Sequence, residues 1–163
     1  MNTIPQMPTA RYDMGVAVIG KMIFAIGGFS GEYLKTVEVL DTQTNEWSTL
    51  SPIPTARYGM GIAVIDDRFI WTFGGLGPGG DLNVIEIFDV EKNEWKTAPT
   101  KMPSLHYSSK AFVVGDQIFF IGGQRSGSGG GNEVVDVLDM KTLIWKTCCS
   151  MTTPRKWHSA IGF

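Results

Sequence analysis

A pair of glycines returns along this chain at an almost constant pitch, and no other feature restricts its fold as tightly. The pairs are Gly27-Gly28, Gly74-Gly75 and Gly122-Gly123, 47 and then 48 residues apart. A tryptophan follows each one: Trp47, Trp95 and Trp145, at intervals of 48 and 50 residues. A third marker precedes each pair. It reads Met7-Pro8-Thr9-Ala10-Arg11-Tyr12, then Ile53-Pro54-Thr55-Ala56-Arg57-Tyr58, then Met102-Pro103-Ser104-Leu105-His106-Tyr107, with a fourth copy at Met151-Thr152-Thr153-Pro154-Arg155-Lys156. Repetition at this period is the signature of an array of equivalent supersecondary units.

The spacings separate a rigid frame from a variable part. Trp47 to Gly74 and Trp95 to Gly122 are both 27 residues, and an acid stands 9 residues before each Trp: Glu38, Glu86 and Asp136. From the second Gly to that acid the distance grows from 10 to 11 to 13. Length variation therefore collects in one connection, just after the Gly pair, where a repeat array can vary its surface without disturbing its core.

Each unit reads as four short β-strands. The first two runs, Met14–Ile19 and Met22–Ile26, are joined by Gly20-Lys21, and a two-residue connection of this kind predicts a tight hairpin. Asp66-Asp67 and Gly115-Asp116 occupy the same place in the next two units. A third run carries the acid, as in Val37-Glu38-Val39-Leu40-Asp41, and a fourth carries the Trp. The segments Asp41–Asn45 and Asp89–Asn93 between them offer Asp and Asn side chains for turns. No helical period is present. A four-stranded sheet cannot bury both faces alone, so the units must stack face to face, as blades of a β-propeller do.

Composition narrows the function classes. The chain has 163 residues, 43% hydrophobic and 18% charged, which suits one folded domain rather than a disordered tail. A net charge of −2 supplies no basic surface for a phosphate backbone, so nucleic acid is not an expected partner. No apolar run reaches the length of a membrane span, and Met1–Pro5 shows no signal-peptide pattern. Cys148 and Cys149 are adjacent and free of metal-ligand spacing, no Asn-x-Ser/Thr sequon occurs, and a reducing, cytoplasmic setting is expected. Cys148 and Cys149 should alternate faces on the fourth strand of the third unit. With His106 and His158 as its two histidines, the chain carries no His-rich metal site, and no cofactor is expected. Neither a phosphate-binding Gly motif followed by a helix nor a nucleophile elbow is present.

Gly pair, downstream acid and Trp in a unit of about 48 residues resemble the kelch repeat. The form Glu-Val-Leu-Asp, Asn-Glu-Trp and Pro-x-x-Arg is similar to the kelch-like proteins of animals. The resemblance runs from about Met7 to Phe163. It implies an all-β, kelch-type β-propeller fragment: three four-stranded blades, over about 11–50, 57–99 and 106–149, and the first strand of a fourth at about 155–163. Kelch propellers usually close with five to seven blades. The chain is therefore expected to be part of a ring, either a fragment or a half-ring whose homodimer would count about six blades. By the same resemblance it is a protein–protein interaction module and not an enzyme. Its role would be substrate recognition for a cullin-type ubiquitin-ligase adaptor, although no BTB-like segment is visible. An actin-associated scaffold is the alternative, and a kelch-fold enzyme ranks below both.

The residues then divide into frame and face. Gly27, Gly28, Gly74, Gly75, Gly122 and Gly123 are expected to serve backbone conformations closed to other residues. Trp47, Trp95 and Trp145 are expected to pack blade against blade. Arg11, Arg57 and Arg155, with His106 in the matching slot, are expected to tie blades together by ion pairs to Glu38, Glu86 and Asp136, or by backbone hydrogen bonds. The resemblance puts partner binding on the loops after the Gly pairs, at 29–34, 76–82 and 124–132, and on positions two beyond the Arg slot. It thus selects Asp13, Tyr33, Gly59, Ser108, Gln124, Arg125 and Trp157, with Tyr33 and Arg125 as the strongest contacts. The stretch Ser126–Gly131 is expected to be a flexible spacer.

Overall fold

Short apolar runs build three four-stranded antiparallel sheets from this sequence: the first strand of the first sheet alternates buried and exposed residues, and the third strand of each sheet is buried on both faces. The computed structural model describes residues 5–105, 107–124 and 131–155, with side chains through Thr153. The first sheet contains β1 Gly15–Ile19, β2 Met22–Ile26, β3 Val37–Asp41 and β4 Glu46–Leu50, in that order. The second contains β5 Gly61–Ile65, β6 Phe69–Phe73, β9 Val84–Asp89 and β10 Glu94–Lys101. Between β6 and β9 lies a small hairpin, β7 Leu76–Gly77 and β8 Gly80–Asp81. The third sheet is β11 Lys110–Val114, β12 Gln117–Ile121, β13 Asn132–Asp139 and β14 Trp145–Arg155. Each sheet is an open four-stranded meander, and no helix occurs among the described residues.

Turn chemistry fixes the register. Asp66 and Asp67 both take positive φ, 53° and 47°, and Arg68 N–H closes the turn on the Ile65 carbonyl. This is the turn geometry that matches the twist of a two-residue hairpin. Between the third and fourth strands, Asp41 accepts the amides of Gln43 and Thr44, and Asp139 accepts those of Lys141 and Thr142. The left-handed residue of these turns is Asn45, Asn93 and, in the third sheet, Leu143.

The core lies between sheets. One cluster joins Phe24, Ile26, Val37 and Val39 of the first sheet to Ile70 and Phe88 of the second. The other joins Phe73, Ile85 and Ile87 of the second sheet to Ile118, Phe120 and Leu138 of the third. Alternate residues of the middle sheet thus serve opposite neighbours: Ile70 points one way, Phe69, Trp71 and Phe73 the other. Trp95 packs into the first cluster, 4.9 Å from the Phe88 ring, and its indole N–H donates to the Ser51 carbonyl. Trp145 packs into the second cluster, edge-on to Phe73. Trp47 belongs to neither cluster, and its indole donates to the Pro5 carbonyl.

Two details depart from the expected pattern. The loop after Gly74-Gly75 folds into the β7–β8 hairpin. Strand β14 runs on through Met151–Arg155, where the repeat pattern sets a connection. The longer β13 provides the reason, since Asn132 at its start pairs with Arg155 after two shifts of register. Cys148 and Cys149 lie on β14, both exposed. The remainder of the fourth unit, Trp157–Phe163, lies outside the described residues.

Candidate functional site

Two layers of repeated contacts build the end of the molecule at which the Gly pairs lie. The lower layer is ionic. Arg11 donates to the carbonyls of Thr9, Gly27 and Thr36 and to Glu38 at 2.6 Å, with both side chains out of solvent. Arg57 repeats this with Thr55, Gly74, Val84 and Glu86, again at 2.6 Å. Burial pushes the Arg57 pKa down, and the Glu86 charge and hydrogen bond hold it back. Each carboxylate is completed by a hydroxyl, Thr9 on Glu38 and Thr55 on Glu86, at 2.7 and 2.8 Å. That threonine, two residues before each arginine, was readable in the marker but carried no role there. The Arg57 backbone meanwhile accepts from Gly28 N–H and donates to the Leu34 carbonyl, both in the first unit. One residue thus holds its own sheet with its side chain and the preceding unit with its backbone. In the third unit Asp136 accepts from Thr147, while His106 and the Arg155 side chain lie outside the description.

The upper layer is a ladder with an aromatic rim. In each unit the residue after the Arg slot is a tyrosine that bridges to the connection beyond the Gly pair: Tyr12 with Phe29, Tyr58 with Leu76, Tyr107 with Gln124. The second Gly of each pair permits this approach. A Cβ there would stand 3.1, 2.6 or 2.8 Å from the carbonyl oxygen of Tyr12, Tyr58 or Tyr107, at φ of 104°, 96° and 96°. One residue further on, Asp13, Gly59 and Ser108 all adopt left-handed φ. Gly59 N–H donates to the Asp13 carbonyl, Ser108 N–H to the Gly59 carbonyl, and the Ser108 hydroxyl reaches Asp13 Oδ2 at 3.4 Å. Three expected site residues are therefore brought together, but Gly59 and Ser108 are buried in the ladder, and Asp13 is half-buried. Burial raises the Asp13 pKa above the ordinary carboxylate value, against the Ser108 hydrogen bond and the Lys110 charge.

The rim itself is aromatic. The Tyr12 and Phe29 rings lie 5.6 Å apart, Phe29 meets Tyr33 edge-on at 5.3 Å, and Tyr33 stacks on Tyr58 at 5.6 Å with 22° between planes. Tyr58 continues to Tyr107 at 6.2 Å. Tyr12 is 62% exposed. Of the expected contacts, Tyr33 stands in this rim and Gln124 at its third-unit end. Arg125 and Trp157 lie outside the described residues, as does most of the expected spacer. Sequence reasoning missed Tyr12, Tyr58 and Tyr107 as surface residues, although their recurrence in one slot was a usable signal. Among the described residues no group of three His, Cys, Asp or Glu side chains could hold a metal ion. No helix among them is long and apolar enough to cross a membrane.

A search of curated proteins found no match. A comparison with known families found one over residues 1–163, the family described as the KLHDC2/KLHL20/DRC7 Kelch-repeats domain. Domains of this kind are in general modules that bind other proteins. The Gly pairs beneath the tyrosine ladder, the buried arginine–glutamate pairs and the open four-stranded sheets are thus the parts of a kelch propeller, and the chain belongs to the kelch-repeat family.

Proposed function

We propose that the chain recognises a partner protein through the Gly-pair end, as the substrate-recognition part of a cullin-type ubiquitin-ligase adaptor. One observation carries the reading of the face: five aromatic rings, from the connections of all three sheets, gather on one rim. Rigid aromatic side chains offer large contact area at little entropic cost, which is why they dominate binding hot spots. The kelch family supports the adaptor role. The test is quantitative affinity capture with the wild-type chain, Tyr12→Ala and Tyr33→Ala. Partners lost from both variants support the face. A captured protein that accumulates when cullin ligases are inhibited supports the adaptor role, whereas co-sedimentation with actin filaments points to a scaffold instead.

A second reading concerns assembly. The outer face of the first sheet exposes Val16 and Val18 at 49% and 57%, and the third sheet exposes Val114 at 61%. The middle sheet covers its equivalent positions with its neighbours. We propose that a second copy covers these faces, closing a ring of six blades. Light scattering tests this: a mass twice the 17.9 kDa of one chain supports it, and a stable monomer overturns it.

A further inference from the structure

The expected alternation of Cys148 and Cys149 across the two faces of β14 does not hold, because the strand bulges at Cys148. Asp136 pairs with Thr147 and Val135 with Cys149, so β14 carries one residue more than β13 there. The Thr147 hydroxyl donates to Asp136 Oδ1, which places Thr147 on the Asp136 face. Cys148, next in the chain, turns to the other face. Cys149 stands opposite Val135, and Val135 lies on that same other face. Two exposed thiols are thus side by side. A hydrogen bond with Cys148 does most to push the Cys149 thiol up from its ordinary value, followed by burial and the Cys148 charge. Cys149 therefore keeps its proton and donates it toward the Cys148 sulfur, leaving Cys148 the nucleophile of the pair.

The face that carries them is a stacking face in the other two sheets. Leu50, opposite Val37, packs against the core between the first and second sheets. Ala98, which follows Thr97 as Cys148 follows Thr147, is buried in the core between the second and third. In the third sheet Phe120 opposes Asp136 and packs toward the second sheet, so the Val135 face is the one turned away. We propose that Cys148 is a site of reversible thiolation by a small-molecule disulfide such as glutathione disulfide, and that the added group blocks the face on which a further blade would stack. The blocking rests on the reading that a second copy covers this face; the thiolation does not. Cys148 gives its proton to solvent and attacks one sulfur of the disulfide. The new S–S bond forms as the old one breaks, and the departing thiolate takes up a proton. Cys149 cannot displace the mixed disulfide without strain: neighbouring α-carbons stand about 3.8 Å apart, and an unstrained disulfide spans about 4.4 Å or more. The cap therefore persists until an external thiol removes it.

The reduced whole chain is incubated with glutathione disulfide, and the products are mapped by peptide mass spectrometry. One glutathione per chain, on Cys148, is expected in the folded protein, with the two thiols reacting alike in urea. Cys149→Ala should slow the reaction at Cys148 about threefold, and Cys149→Ser, which keeps a hydroxyl donor, should not. Both cysteines are exposed, so these changes leave the core intact. Modification of Cys149 first, or a Cys148–Cys149 disulfide with no glutathione retained, overturns the site. Light scattering on the reduced and thiolated forms tests the blocking. A reduced dimer that becomes a monomer on thiolation supports it, and a thiolated dimer overturns it. If the reduced chain is already a monomer, the second-copy reading and the blocking fall together, and the mapping alone decides the site.

Discussion

The residue that does most at the smallest scale is Arg57. Its side chain is entirely out of water, and that side chain donates to the carbonyls of Thr55, Gly74 and Val84 and to Glu86. A buried pair of this kind adds little over an apolar pair of the same volume, but removing one partner strands the other charge. Arg57→Ala should therefore destabilise the chain by about 3–5 kcal/mol in urea denaturation. A loss below 1 kcal/mol, on the order of a surface pair, would contradict the burial. Asp13 behaves in the opposite sense. Its folded pKa is raised by desolvation, so the ionised carboxylate costs stability at neutral pH, and that cost disappears as pH falls through the folded pKa. Asn tolerates the left-handed φ of 54° and keeps a partner for Ser108. Asp13→Asn should be the more stable at pH 7, with the difference shrinking toward pH 4. A deficit that stays constant across that range would show that the charge is not what matters there.

At the scale of the element, the four-stranded unit could be read from sequence because everything that specifies it is local. Period-two apolar runs, two-residue hairpin turns and Asp-anchored turns all act within a few residues. The arginine–glutamate pairs were readable as well, since their partners recur in phase. The β7–β8 hairpin was not, because Leu76–Asp81 contains three glycines and a proline and no apolar alternation. Nor was the reach of β14, which depends on how much of β13 is there to pair with, a property of the partner strand. Packing between the sheets draws on two of the three recurrent tryptophans, Trp95 and Trp145. Trp95 fills the first core and satisfies its indole on the Ser51 carbonyl in the connection between sheets. Trp95→Ala should cost about 3–5 kcal/mol, and an unchanged denaturation midpoint would remove the packing role.

For the whole molecule, the binding rim is a property of convergence. Tyr12, Tyr58 and Tyr107 stand 46 and 49 residues apart in sequence, and their rings meet or nearly meet because successive sheets turn the same edge toward one end. Tyr33 could be singled out from its own loop, but its neighbours in the rim come from other units, and no local pattern announces them. The Gly pairs act at this scale too. By letting the Tyr backbone approach, they set each rim residue at an equivalent height on its sheet. The opposite end presents hairpin turns at Gly20-Lys21, Asp66-Asp67 and Gly115-Asp116, with charged side chains in place of a rim.

Backbone hydrogen exchange on the chain, free and with a captured partner bound, tests the loop face most directly. Slowed exchange at Tyr12–Asp13, Phe29–Leu34, Tyr58–Gly59, Tyr107–Ser108 and Gln124, with no change at the three hairpin turns, is the expected result. Protection confined to the hairpin turns would contradict it and move the binding surface to the other end of the propeller.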